Sequence, residues 1–225
     1  MSTSAYEAYR AIRERILTAA ARRIPRASAA SQARALGFGW KDDAVQVAND
    51  AQFQLVLDLG VFGPAGGHSR ALDREAKAGD YPEGSEDAAV LAALSRAHFT
   101  LFRVVGPDPQ GGVEADDLLR GTKLRIQDGM LAREGMEGTA FAGRLMRIGG
   151  FEMTCGALAP VTDEVVETLL GRPVTPKPIP QFLPEITPLM DSDIAALRGA
   201  ASASEFPLRV YRASLDHGLF GKLPD

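Results

Sequence analysis

One cysteine, one tryptophan and three histidines in 225 residues leave this chain poor in the side chains that most often carry chemistry. A single thiol, Cys155, excludes an internal disulfide and a cysteine-built zinc cage. With no histidine near it in sequence, Cys155 reads as a buried, inert thiol rather than a nucleophile. His68, His98 and His217 are dispersed and no acids cluster, so neither a hydrolytic site nor a metal site can be assembled. The glycines of Gly63-Pro-Ala-Gly-Gly-His68 precede a helix, where phosphates bind, but Walker spacing and its Lys-Ser/Thr pair are missing. No Gly-x-Gly-x-x-Gly occurs. No apolar run approaches the roughly 18 residues that span a bilayer. Charge interrupts Tyr6–Arg26 every few residues, unlike a secretory signal. A cytoplasmic protein without cofactor, metal or membrane contact is the expectation.

Charge is unevenly spread. Residues 1–41 carry eight basic side chains against Glu7 and Glu14, a surplus of six, while the whole chain has a net charge of −4. Such polarity suits a nucleic acid or an acidic partner, and Arg13, Arg22, Arg23 and Arg26 are the candidate contacts. The alternative is a basic helix that docks on the acidic body of its own chain, and this is the favoured reading.

The N-terminal half reads as helices. Ser4-Ala-Tyr-Glu7 has the form of a capping box, and Tyr9, Ile12, Ile16 and Ala20 recur at helical spacing up to Pro25. A short helix, Ser28–Leu36, follows, with Gly37 as its cap. Trp40 is expected as a core plug. Asp42 or Asp43 should cap the next helix, which Gly60 ends, and Asp58 inside its apolar run needs a buried partner such as Arg70 or Arg74. Two further helices are predicted: Arg70–Ala78, capped by Ser69, and one opened by Ser85-Glu-Asp.

Five short strands are predicted over 98–160: Phe99–Val105, Val113–Leu119, Thr122–Gln127, Ala140–Ile148 and Phe151–Cys155, joined by glycine turns. Leu124 and Ile126 alternate with Lys123, Arg125 and Gln127, the mark of a strand with one buried face. Asp117 shares a face with Val113 and Ala115 and should bond the following turn. Strands this short roll into a small antiparallel barrel. Beyond them come a helix, Asp163–Leu170, a connector Arg172–Pro188 with six prolines, and a helix from Asp191 or Ser192 to Gly199. The tail, Glu205–Asp225, is too apolar for disorder and should dock on its own body or on a second copy. The fold class is therefore α+β: a helical N-terminal half (1–97) on a five-stranded antiparallel barrel or rolled sheet (98–160). Residues 161–225 add a helix, a proline-rich strap and a docked tail.

The run from Glu86 to Val104 resembles a stretch found in a group of uncharacterised bacterial proteins, as do Asp117-Leu-Leu-Arg-Gly121 and Gly150-Phe-Glu-Met-Thr-Cys-Gly156. The resemblance covers residues 1–165. It implies a bacterial, cytoplasmic protein of shared fold and transfers no catalytic residue. Relatives of the sheet region occur beside small metal-binding SEC-C modules, which one cysteine cannot build here.

Three functional classes follow. The favoured one is a non-enzymatic binding or regulatory module working through protein contacts, with Phe206, Tyr211, Leu219 and Phe220 as a candidate interface to a partner or a second copy. The alternatives are a nucleic-acid-associated protein using the basic N-terminal helices, and an enzyme whose site is not visible in sequence. A pocket that gathers His68, His98 or His217 with an acid is the feature that would favour an enzyme.

Overall fold

The computed structural model describes residues 3–64, 69–174 and 189–221, with side chains from residue 5 onward. Helix α1 (Thr3–Ala21) already includes Ser4, the expected cap, and α2 (Arg26–Ala35) follows Pro25. Asp42 and Asp43 do not cap a helix. Both take positive φ (49° and 60°) and form the two-residue turn between strands β1 (Gly39–Lys41) and β2 (Ala44–Gln46). Turns of this kind match strand twist, and aspartate tolerates the left-handed region. Trp40 is consequently a half-buried strand residue opposite Val45, not a core plug.

Asn49 is the cap instead. Its side chain accepts from the Gln52 amide at 3.0 Å and starts α3 (Asp50–Phe62). The helix runs through Gly60; a Cβ there would meet Ile24 Cδ1 at 2.5 Å, so glycine lets the segment after α1 close on α3. Arg70, not Ser69, is the N-cap of α4 (Ala71–Ala78). Ser85 caps α5 (Glu86–Ser95) as anticipated, accepting from the Ala88 amide at 3.1 Å.

The strands are β3 (His98–Pro107), β4 (Val113–Asp117), β5 (Thr122–Gln127), β6 (Ala140–Ile148) and β7 (Phe151–Val161), closed in the order β3-β4-β5-β7-β6. One pairing corrects the antiparallel expectation: β5 and β7 run parallel, through Ile126 opposite Glu152 and Gln127 opposite Met153. This connectivity, a meander of three strands closed by a parallel third and fifth, is that of OB-type Greek-key barrels, a likeness of architecture that carries no function. β7 continues past Cys155 to Val161. Beyond Met153 it pairs only with β6, so Pro160 sits on an edge where no donor is needed on the other side. Between the pairs Gly143–Leu158 and Leu145–Thr154 the single residue Arg144 faces Cys155–Ala157, a bulge carried by β7.

Pleating sorts the barrel's side chains. Phe102, Val104, Val113, Ala115, Leu124, Ile126, Phe141 and Leu145 fill the interior. Outside, Met146, Phe151, Met153 and Cys155 pack against α1, α3, α4 and α5. Leu101, Ala140, Ala142 and Val161 pack against the C-terminal helices α6 (Asp163–Leu170), α7 (Asp191–Ala201) and α8 (Phe206–Asp216). Gly171 ends α6 at φ 68°, as a C-terminal glycine should. Met190, rather than Asp191 or Ser192, is the N-cap of α7, whose first turn then holds Asp191 and Asp193 at the positive end of the dipole. The apolar tail is mostly α8. Phe99 meets Phe206 and Tyr211 edge-to-face at 6.0 and 5.5 Å, which docks that helix on its own barrel. Among the described residues no helix is long and apolar enough to cross a membrane. The proline strap expected at Arg172–Pro188, with Ile179, Phe182 and Leu183, lies outside the described residues beyond Val174.

Asp58 does find a buried partner, but it is Arg144. The guanidinium Nε lies 3.1 Å from both carboxylate oxygens, and the Tyr211 hydroxyl donates at 2.9 Å. Arg70 pairs with Asp73 and Arg74 donates to the Arg23 carbonyl, so neither expected partner reaches it. Ordinary alternation with the inward Gly143 and Leu145 points Arg144 out of the barrel, where it stacks 4.7 Å from the Phe62 ring.

Candidate functional site

One end of the barrel is polar, and strand register explains how. His98 lies opposite Leu145, Leu145 opposite Thr154, Arg147 opposite Glu152, and Asp117 opposite Thr122. Residues directly opposite one another face the same side of a sheet. Leu145 belongs to the barrel's interior, so His98, Thr100, Asp117, Thr122, Arg147 and Glu152 form the last inward-facing layer below it. β5 and β7 are joined only near Ile126 and Glu152, so the first half of β5 parts from β7 and opens a mouth beside the β6–β7 turn. A cavity of about 400 Å³ sits there, lined by His98, Asp117, Thr122, Arg147 and Glu152 of this layer and by Arg120, Lys123 and Arg125 at its rim.

Asp117 in this layer is fully used. Its Oδ1 accepts from the Thr100 hydroxyl at 2.7 Å and from the Leu119 and Arg120 amides at 3.0 and 2.8 Å, and Arg120 Nη1 reaches Oδ2 at 3.3 Å. It bonds the following turn as the sequence suggested. Glu152 and His98 are different. Glu152 is 6% exposed, yet its buried Oε2 has no hydrogen-bond partner among the described residues, and neither has the buried Nε2 of His98. A buried polar atom without a partner costs on the order of 1–3 kcal/mol. Burial pushes the Glu152 carboxyl up and Asp117 adds to this, while Arg147 and Arg120 pull it down. Burial and the nearby Arg120 charge push His98 down, toward the neutral imidazole.

The rim cations are mostly committed: Arg120 to Asp117, Lys123 to Asp116, and Arg125 to Asp108 at 2.6 Å. Arg147 is exposed and has no ion-pair partner among the described residues. A buried acid, a half-buried imidazole and a cation without an ion pair thus share one concave, polar space, as small-ligand sites do.

The residues singled out in the sequence go elsewhere. Arg13 is largely buried and donates to the Thr154 carbonyl, Arg23 pairs with Glu75, and Arg26 pairs with Asp43 at 2.7 Å. Of the four candidate arginines Arg13 is drawn into the body, while Arg22, Arg23 and Arg26 are exposed, the last two in ion pairs with this chain's own acids. Phe206, Tyr211 and Phe220 are buried in this chain's own core and Leu219 is half-buried against it. His217 is exposed beside the Thr168 hydroxyl at 2.9 Å, and His68 lies outside the described residues. Cys155 lines a separate, apolar groove between α1, α3 and β7, and burial pushes its thiol far up. His98 is gathered with Asp117 and Glu152 in the barrel-end cavity. Sequence reasoning missed Glu152 and Arg147; the available signal was a charge at an inward position of a strand, two residues from an interior leucine.

The profile of a family of unknown function, DUF7986, matches residues 1–173. No curated protein and no solved structure matches the chain.

Proposed function

The chain belongs to this family of unknown function, and we propose that it is a non-enzymatic binding module whose barrel end receives a small polar ligand. The observation that supports the reading is the pairing of Glu152 Oε2 and His98 Nε2, buried without partners, in a cavity rimmed by cations. Hydrogen bonds from a ligand would satisfy both atoms, in a low-dielectric setting where such bonds are strongest. The reading keeps the binding module expected from the sequence and moves its contact point from the tail to the barrel, because the tail's aromatic residues are committed to the core.

Isothermal titration of the full chain with small polar metabolite classes tests it. Binding that weakens at least about tenfold in both E152Q and H98Q supports the site. Binding insensitive to both variants sinks it.

A second reading has its own observation. Glu152 is biased toward its protonated form and His98 toward its neutral one within one cavity, the pairing of a general acid with a general base. Turnover of a bound ligand, followed by NMR and abolished by either variant, would select catalysis over simple binding.

A further inference from the structure

The charges around the barrel-end cavity are arranged as opposites, and this narrows what fits there. Three rim cations already have acids: Arg120 has Asp117, Lys123 has Asp116 and Arg125 has Asp108. Two groups remain. Arg147 stands at the mouth without an ion-pair partner among the described residues, and Glu152 lies opposite it on the neighbouring strand, 6% exposed and with Oε2 unpartnered. Although they are opposite one another in register, no ion pair joins them. Between them and the His98 ring is the cavity of about 400 Å³, near the lower end of the small-ligand range.

We infer that the ligand is a small zwitterion, a free α-amino acid or an amine–carboxylate of similar size, held with its ammonium on Glu152 and its carboxylate on Arg147. The inference rests on the binding reading above and adds the ligand's class. An ammonium brings donors for Glu152 Oε2, and a carboxylate accepts the paired N–H groups of a guanidinium. A simple anion would satisfy Arg147 but face an unpaired buried carboxylate; a simple amine would satisfy Glu152 and leave Arg147 as it is. His98 lines the same space, and its unpartnered Nε2 serves a second polar group of the ligand. The saturated Asp117 keeps Arg120 in place beside His98 and is not itself available.

The test is calorimetric titration of the full chain with each of the common amino acids. For any that binds, it is repeated with the corresponding amine lacking the carboxylate and the corresponding hydroxy acid lacking the amine. Phosphate and citrate complete the set. The expected result is an amino acid that binds at least about tenfold tighter than its own amine and its own hydroxy acid. In E152Q the advantage over the hydroxy acid should collapse, and in R147Q the advantage over the amine, with melting curves confirming that both variants fold. A hydroxy acid, phosphate or citrate that binds as tightly as any amino acid overturns the zwitterion while leaving a ligand site at the barrel end. No binding by any of these compounds overturns the inference, and a broader ligand set that also fails would take the binding reading with it. Strong coupling between Arg147 and Glu152 in a double-mutant stability cycle of the unliganded protein would mean that they pair with each other, and would also overturn it.

Discussion

Arg144, on the outer face of β6, sets its Nε 3.1 Å from both carboxylate oxygens of Asp58 on α3, tying the helical layer to the sheet. Burial pushes the Asp58 carboxyl up, while Arg144, the Tyr211 hydroxyl and the Ala157 amide pull it back. Both side chains are nearly or fully removed from solvent, so truncating one leaves the other charged and unpaired. Asp58→Ala and Arg144→Ala should each lower unfolding free energy by about 3–5 kcal/mol in urea titrations. Gly156→Ala should act through the same pair, since its Cβ would lie 1.9 Å from Asp58 Oδ1. Loss of less than about 1 kcal/mol in all three would show that the pair is not what holds these layers together.

The N-terminal arginines should separate by what they touch. Arg13 has a side chain 13% exposed and donates to the Thr154 carbonyl on β7, whereas Arg22 is exposed. Arg13→Ala should cost about 1–2 kcal/mol, since a charged donor to a partly buried carbonyl is lost. Arg22→Ala should stay within about 0.5 kcal/mol. The same two variants test nucleic-acid contact: equal stability loss, together with a duplex affinity that falls steeply with salt and drops in Arg22→Ala, would restore the basic helices as a binding face.

Local patterns carried much of the fold. Thr122–Gln127 and Ala140–Ile148 were legible to the residue because alternation and flanking glycines bound them. The second half of β7 was not, since Gly156 and Pro160 read as breakers and only pairing on one side makes Pro160 tolerable there. The parallel β5–β7 closure joins residues 126 and 152, and no local signal fixes such a contact. Asp58 was legible as a buried acid needing a partner, but Arg144 is 86 residues away in sequence and meets it only because α3 packs on the outer face of the barrel. The candidate site fails to show for a similar reason. His98, Arg147 and Glu152 sit on three strands, and only the β3–β6–β7 register brings them to one end of the barrel.

Cys155 should be silent to thiol reagents in the folded state. It is 2% exposed, packed among Val61, Phe62 and Met153, and burial next to the Asp58 carboxylate holds its thiol protonated. Labelling with a disulfide-exchange reagent at neutral pH should proceed only as fast as the protein opens, and should become rapid in denaturant. Immediate, stoichiometric labelling of the native protein would mean that the groove between α1, α3 and β7 opens further than this packing allows.

The last expectation concerns pH. Burial and Asp117 raise the Glu152 carboxyl above its ordinary value, while Arg147 and Arg120 oppose them; His98, pushed toward neutrality, adds little charge nearby. A carboxyl that holds its proton more tightly in the folded chain contributes stability below its unfolded pKa. That contribution is lost as pH rises through the folded value. E152Q removes this titration. Measured against wild type, the variant's melting temperature should therefore climb as pH rises above the ordinary glutamate value of about 4.3, and the difference should be flat below it. A saturating zwitterion should change the sign for the wild type: an ammonium on Glu152 favours the ionised carboxylate, so the stabilisation that the ligand confers should grow over the same pH range. Wild type and E152Q melting curves that run parallel across the whole range would show that Glu152 does not titrate differently in the fold. The buried, unpartnered carboxylate would then have to be satisfied by water.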